Sequence, residues 1–418
     1  MFRFYSFGIL LYGLAIRIAG LVNEKAALWV RGRKALFQQL INALGDPALR
    51  RDERKLAWFH CASLGEFEQG RPLMEAFRKQ YPDTIILLTF FSPSGFENRK
   101  TYTGADLIFY LPLDTRRNAR RFINLVSPDV VFFVKYEFWF NYLTVLQERS
   151  TPHYLVSGIF RPDQHFFKWY GDWPRRVLKG FTHIFVQNQT SRELLEFVGI
   201  DQVSVTGDTR FDRVAEIASL HKEFPLISLF CQGNPVIVAG STWPPDDEFF
   251  VRFFQEYPGP LRLILAPHEI REESIIALQN RIGSSAVRNS QLTEATAAEA
   301  RVLIIDSIGM LAHLYRYGLI AYVGGGFGAG IHNTLEAAVF GVPVVFGPNH
   351  GKFHEALELV AHGGGFPVRQ YAEFDEIMRK FLADKEFLSK ASAASREYVA
   401  SHTGATSTIL SRIGNRDR

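Results

Sequence analysis

The string Ser63-Leu64-Gly65-Glu66 follows an apolar, β-prone run, Leu56–Ala62, and opens a stretch with helical spacing. A carboxylate at the end of a first strand and the start of a helix faces the crevice where parallel α/β sheets bind ligands. There it can act as a general base, taking the proton from an attacking hydroxyl. The same position also suits a structural role, complementing the helix dipole in the first turn, and position alone does not choose between the two. A second concentration of chemistry is Val323-Gly324-Gly325-Gly326-Phe327-Gly328-Ala329-Gly330, running on into Ile331-His332-Asn333-Thr334-Leu335-Glu336. Glycines let backbone amides approach a phosphate, and a helix expected to begin near Asn333 adds partial positive charge. Asn333-x-x-Glu336 also reads as a capping-box pattern, yet capping does not explain five glycines in seven residues. The order is not that of a P-loop, which needs Lys-Ser/Thr after its glycines.

Other strand ends add polar groups: Gly240-Ser241-Thr242-Trp243, Pro267-His268-Glu269, Lys135-Tyr136-Glu137-Phe138-Trp139 and Gly207-Asp208-Thr209-Arg210. Trp139 and Trp243 read as packing residues rather than ligand stackers. His268 and His332 lack metal-ligand spacing and no H-E-x-x-H string occurs, so neither a bound metal nor a cofactor is expected. Cys61 and Cys231 stand far apart with no metal spacing, which argues for a reducing compartment and for thiols that pack as small apolar groups.

The elements that position these strings alternate between short apolar runs and helical stretches. LAWFHCA, TIILLTF, DLIFYLP, DVVFFV, PHYLVS and THIFVQ form one series of buried-strand candidates; PVIVAGS, LRLILAP, ARVLIID, GLIAYVGG and VPVVFG form a second. Continuous apolar strands separated by helices imply parallel sheets covered on both faces. The fold class is therefore α/β, with two Rossmann-like domains facing a cleft. The expected division is an N-terminal helix over 1–22, a first domain over 23–220 and a second over 221–418.

The N-terminal segment is distinct. Phe4–Val22 is apolar apart from Arg17, and ten basic against four acidic residues through Lys55 leave that leader at +6 and the remainder at −2. A cleaved signal fits poorly, since no basic start precedes the run and no small-x-small site follows. A buried helix is one reading; a membrane anchor, spanning or lying in the interface with Arg17 snorkelling, is the favoured one. The basic flank Lys25, Arg31, Arg33 and Lys34 places the body on the cytoplasmic side and favours an anionic membrane over nucleic acid as partner.

Taken in order, Ala62-Ser63-Leu64-Gly65-Glu66, Tyr136-Glu137-Phe138-Trp139 and His332-Asn333-Thr334-Leu335-Glu336 resemble the Kdo (3-deoxy-D-manno-octulosonic acid) transferases of lipopolysaccharide biosynthesis. The resemblance runs from the anchor to roughly Arg369. It implies the GT-B architecture and a glycosyltransferase moving Kdo from CMP-Kdo to a lipid A precursor (lipid IVA) with inversion, at the cytoplasmic face of the inner membrane. By the same resemblance Glu66 is the catalytic base, Glu137 lies near the reacting centre and Arg210 is the basic residue beside it. CMP is held by Pro267 and His268, by Ile308, Gly309 and Met310, and by Asn333 through Glu336, with Gly325 and Gly326 in the phosphate loop. Three strings depart from the family pattern: Lys135-Tyr136-Glu137-Phe138-Trp139-Phe140-Asn141 stands for Glu-Thr-Glu-Leu-Trp-Pro-Asn, Pro267-His268-Glu269 for Pro-Arg-His, and Arg210 for a lysine. The alternatives are another GT-B transferase or epimerase, and a non-catalytic membrane-surface protein of the same fold.

Overall fold

A computed structural model of the chain describes residues 2–220 and 222–414. The expected segment limits at Met1, His221 and Arg418 fall outside that range. The chain forms two compact units, Met1–Asp212 with Gly404–Arg418, and Arg213–Thr403.

The first unit is built on seven parallel strands, β1 (Leu56–Cys61), β2 (Ile85–Phe90), β3 (Leu107–Tyr110), β4 (Val130–Val134), β5 (His153–Gly158), β6 (His183–Val186) and β7 (Val203–Val205). Their order is β3-β2-β1-β4-β5-β6-β7, so the sheet reverses direction of growth between β1 and β4. Alternate residues of β1 enter different cores: Leu56 and Trp58 one, Ala57, Phe59 and Cys61 the other. Both faces are thus covered, which is why the strands read as unbroken apolar runs.

The second unit repeats the plan with β8 (Val236–Thr242), β9 (Arg262–Pro267), β10 (Ala286–Arg288), β11 (Val302–Ile304), β12 (Ile320–Val323), β13 (Val344–Phe346) and β14 (Gly365–Pro367). Its order, β10-β11-β9-β8-β12-β13-β14, reverses between β8 and β12. Each unit thus has one topological switch point, the place in an open α/β sheet where neighbouring loops part and a ligand can enter.

The last helix, Ala405–Gly414, differs from the expected division, which put all of 221–418 in the second domain. It packs on the first unit through Ile409, Leu410 and Ile413, beside Phe59, Phe77 and Phe132. Asp212 fixes its start, accepting from the amides of Gly404 at 2.6 Å and Thr406 at 2.7 Å. Those donors are orphaned at any helix start, so the carboxylate both satisfies them and meets the positive dipole end.

At the N-terminus, helices α1 (Phe2–Ala19), α2 (Glu24–Arg31) and α3 (Leu36–Leu44) precede the sheet. No single helix among the described residues is long and apolar enough to cross a membrane; α1 and α2 pass that test only together, bent by 120°. Tyr5 of α1 donates to Asp114 at 2.6 Å and lies against Phe140. Gly13 lets α1 approach closely, since a Cβ there would stand 2.7 Å from Leu113 Cδ2. On the other side Phe4, Phe7, Leu10, Leu11, Leu14 and Ile18 are exposed. At 100° per residue these six occupy an arc of about 120°, an apolar stripe turned away from the protein.

The basic leader needs correcting. Arg33 is largely buried, donating to the carbonyls of Leu111 (3.0 Å), Trp29 (3.2 Å) and Phe91 (2.8 Å) with its guanidinium 3.8 Å from the Trp29 ring centroid. Burial pushes its pKa down to about 9. Arg51 and Arg54 likewise donate to backbone carbonyls, at Ser127 (2.7 Å) and Asp83 (2.6 Å). Charge counted along the sequence cannot separate a guanidinium that binds structure from one that faces a partner.

Candidate functional site

The switch point of the first unit gathers Glu66 and Glu137. The helix α4 (Leu64–Gln80) starts directly after β1, with Ser63 at its N-cap. It lies close against the sheet because Gly70 has no side chain; a Cβ there would stand 2.9 Å from Val134 Cγ2 and 3.0 Å from Cys61 Sγ. Glu66 sits in the first turn, half-buried, and accepts a hydrogen bond from the Ser63 hydroxyl. Burial, then Glu66 and Glu137, push the buried Cys61 thiol far above its ordinary range, so it is an inert packing group.

Across the switch point, Lys135 follows β4 in the left-handed region at φ 69°. That turn sends Glu137 back over the sheet, where it is buried and meets His60, a fully buried histidine of β1. His60 Nε2 lies 3.1 Å from Glu137 Oε2, and its Nδ1 lies 2.8 Å from Thr89 Oγ1. Trp58 donates to the same Thr89 oxygen at 2.8 Å, and Trp139 donates to Glu137 Oε2 at 2.5 Å. The strand register builds this chain, pairing His60 with Thr89 and Trp58 with Leu87.

Donor counting sets its polarity. Thr89 Oγ1 accepts from the Trp58 indole, and Glu137, as a carboxylate, can only accept, which puts a proton on His60 Nε2 and leaves Nδ1 to accept from the Thr89 hydroxyl. His60 then presents Nε2–H to Glu137. Two donors converge on Oε2, and the carboxylate is held in one orientation.

Neither His60 nor Thr89 was marked as functional in the sequence, although the signal was there. Each is a polar residue inside an otherwise apolar strand, and a buried polar group must have a partner. Trp139 packs at 4.5 Å against Phe91 and also hydrogen-bonds, so it is more than the packing residue expected.

Arg210 stands at the start of the helix Thr209–Ser219, after β7. It is clamped by the buried Asp208, with Nε at 2.9 Å and a terminal nitrogen at 2.7 Å from Oδ2. Gln69 of α4 donates to both Asp208 oxygens at 3.1 Å, and Thr209 donates to the Gln69 carbonyl. Burial raises the Asp208 carboxyl, but the Arg210 charge and these hydrogen bonds outweigh it and leave the pKa below the ordinary value. The Arg210 segment is therefore tied to α4 one turn after Glu66.

In the second unit, the nucleotide-binding candidates stand at the ends of neighbouring strands. Pro267 ends β9 and His268 follows it, exposed, its amide donating to the Thr242 carbonyl at 2.9 Å. The His268 ring stacks on Trp243 (centroids 4.7 Å apart) and on His332 (4.4 Å). Trp243 Nε1 donates to His332 Nε2 at 3.2 Å, and burial, then His268, push the His332 pKa down to about 4. Neither this three-ring stack nor the part His332 plays in it was anticipated.

Ile308 and Gly309 form an exposed turn, with Gly309 at φ 89°. Met310 accepts from the Ser307 hydroxyl at 2.9 Å.

The glycine loop differs from the open cradle expected. A Cβ on Gly324 would meet the Ser241 carbonyl oxygen at 2.4 Å, and one on Gly326 the Gly347 Cα at 2.5 Å. These glycines let three backbone segments pack together. The Gly325 amide, at φ 91°, donates to the buried Asp246 at 3.0 Å, so that donor is already spent.

The helix after the loop starts at Leu335, not near Asn333, and runs only to Ala338. Asn333 accepts from the Leu335 amide at 3.1 Å and donates to Glu336 at 3.1 Å, while Thr334 is buried at the N-cap position. The expected capping box is thus replaced by an Asn333–Glu336 side-chain pair. Among the described residues no group of three or more His, Cys, Asp or Glu is placed to hold a metal ion.

Comparison with known proteins decides the family. The family described as 3-deoxy-D-manno-octulosonic-acid transferase (kdotransferase) matches residues 35–213. The 3-deoxy-D-manno-octulosonic acid transferase of Aquifex aeolicus is 30% identical over 350 residues, covering 81% of this chain and 89% of that protein. The chain belongs to the 3-deoxy-D-manno-octulosonic acid transferase family. It is thus a Kdo-transferring enzyme. The Haemophilus influenzae member of the family is 27% identical over 364 residues, covering 84% of this chain and 85% of that protein.

Among solved structures, UDP-GlcNAc 2-epimerase from Neisseria meningitidis bound to UDP-GlcNAc aligns at TM-score 0.60 and 15% identity, over 87% of this chain and all of that one. MurG from Acinetobacter baumannii aligns at TM-score 0.56 and 11% identity, over 87% and 99%. These likenesses show the fold, which is GT-B-like as the motifs of this family implied.

Proposed function

We propose that the chain transfers Kdo from CMP-Kdo to a hydroxyl of a lipid A precursor, lipid IVA, with inversion and without a metal. The observation that carries this is the half-buried carboxylate of Glu66 at the β1 end, beside the β1/β4 switch point. Glu66 takes the proton from the acceptor hydroxyl as its oxygen attacks the anomeric carbon and CMP leaves. The transition state is oxocarbenium-like, with positive charge building on the sugar. Glu137, fixed by His60 and Trp139, is a negative group suited to stabilise that charge, and Arg210 answers the negative charge of donor and leaving group.

The second unit holds the nucleotide. Ile308, Gly309 and Met310 receive the base, while Asn333 through Glu336 and the exposed part of the loop near Gly328 receive the ribose and phosphate. His268 stands where the family carries an arginine, so its grip on the phosphate is weaker. The first unit holds the acceptor, and the exposed stripe of α1 lies in the cytoplasmic face of the inner membrane.

The test is turnover of CMP-Kdo with detergent-dispersed lipid IVA. Glu66→Gln should lower turnover by about 100-fold or more. Chelator should leave wild-type turnover unchanged; recovery only on adding Mg²⁺ or Mn²⁺ would contradict the metal-free reading.

A further inference from the structure

Where α1, α2 and the start of α3 meet the chain after β3, the first unit has a half-open cavity of ≈ 370 Å³. Trp29, Val30 and Leu113 are among its apolar lining, and Arg17, Arg31 and Lys34 stand around it. All three cations are exposed, and among the described residues none has a carboxylate within ion-pair distance. Arg33, in the same lining, is different, because its donors are spent on carbonyl oxygens.

Three like charges around one opening repel one another, and an anion seated among them turns that repulsion into attraction. A phosphomonoester, carrying about −1.5 to −2 at neutral pH, matches three cations better than a single carboxylate does. The volume falls in the range of small-molecule sites, about 300–1,000 Å³. What selects a lipid over a free anion is the position of Arg17. On the α1 wheel it falls at the edge of the exposed apolar stripe, about 20° from Leu10. An anion at this opening would therefore sit where an apolar surface ends and a cationic one begins, the geometry of a lipid headgroup.

We propose that this cavity seats the phosphate headgroup of a membrane lipid among Arg17, Arg31 and Lys34 while the α1 stripe lies in the bilayer surface. The proposal rests on the reading of α1 as a membrane-surface helix and adds a stoichiometric site to it. A diffuse basic surface would attract anionic lipid without saturating at one headgroup per chain.

Calorimetry on the full chain with monomeric dihexanoyl phosphatidic acid tests it. Wild type should bind one equivalent, and equimolar inorganic phosphate should not displace it. Arg31→Gln with Lys34→Gln should weaken binding at least tenfold with the melting temperature unchanged. Val30→Trp fills the cavity but keeps every charge, and it should weaken binding as much. Wild-type binding by Val30→Trp would show a surface field without a cavity site, and displacement by phosphate would remove the lipid; either overturns the proposal. If Val30→Trp does not fold, the two-glutamine variant decides alone, and wild-type affinity there overturns the proposal.

Sedimentation with phosphatidylglycerol vesicles is measured alongside. A chain that sediments but does not bind the short-chain lipid overturns the cavity and leaves the membrane reading standing. One that fails to sediment overturns the membrane reading, and the proposal with it.

Discussion

His60 can be separated from a merely structural residue by its two nitrogens. Its Nε2–H points to Glu137 and its Nδ1 to Thr89, so glutamine and asparagine each retain one half of the pair. His60→Gln keeps a donor near the Nε2 position, and His60→Asn keeps only the shorter reach to Thr89. If orientation of Glu137 matters, His60→Gln should retain most of kcat, and His60→Asn should lose about 10- to 100-fold in kcat with little change in the donor KM. Equal losses in both variants, tracking a fall in melting temperature, would mean that the buried network serves only stability. In the wild type, ¹⁵N shifts should report the Nε2–H tautomer; an Nδ1–H signature would reverse the polarity that the Glu137 carboxylate imposes. That Glu66 and Glu137 stand at strand ends was legible in the sequence, while their roles rested on the family resemblance. The histidine that holds Glu137 was not legible, because strand register, invisible in one sequence, brings His60 beside Thr89 and under the returning loop.

Elements carry the next lesson. Five closely spaced glycines and a strand before them suggested a phosphate cradle, and local sequence cannot tell that purpose from close backbone packing. Here Gly324 and Gly326 serve packing, so Gly326→Val should destabilise the second unit, by about 1–3 kcal/mol or more for an overpacked site, before it reports on any ligand. Ala329 is exposed in the same loop and makes a cleaner probe. Ala329→Glu should reduce CMP affinity about tenfold with the melting temperature unchanged; unaltered affinity would remove the loop from the phosphate site.

At the other end of the chain, α1 is coupled to the first unit through one buried carboxyl. Asp114 accepts from Tyr5 and from the amides of Asn141 (3.2 Å) and Tyr142 (3.1 Å), capping the helix Phe140–Glu148 that follows Trp139. Burial pushes its pKa up to about 6, and the hydrogen bond from Tyr5 is the largest influence pulling it down. The sign follows from that. Between the unfolded value near 3.8 and about 6, the folded chain binds the proton more tightly, so this group's contribution to stability falls as pH rises through that window. The Tyr5 bond opposes this only when Asp114 is ionised. Urea unfolding of Tyr5→Phe should therefore show a larger penalty at pH 7 than at pH 5, reaching about 1.5–3 kcal/mol as for hydrogen bonds to charged groups. A penalty independent of pH would mean that Asp114 stays in one protonation state across that range.

For the molecule as a whole, the two α/β units were readable from two series of apolar runs, because strands buried on both faces need no alternation to be recognised. The return of the last helix to the first unit was not, since it depends on Asp212 reaching amides almost two hundred residues away. The N-terminal segment shows the same limit. Its hydropathy could not say which side of the helix meets protein; in the structure one side docks on the first unit and the other is left exposed. Tyr5 and Gly13 dock α1 on the first unit, so deleting 1–22 would unseat that docking as well as any membrane contact, and the result could not be assigned to either. Substituting only the outer stripe separates them. Phe7→Gln, Leu11→Gln, Leu14→Gln and Ile18→Gln replace side chains that are 50–61% exposed and should leave the melting temperature within a few degrees of wild type. Each fully buried side chain of this kind is worth roughly 1.5–3 kcal/mol, so the four together should abolish sedimentation with vesicles. Turnover of detergent-dispersed acceptor should persist while turnover of acceptor embedded in vesicles falls. A quadruple variant that still sediments fully would move the membrane contact to another surface, and one that loses turnover in detergent as well would make the stripe part of the acceptor site.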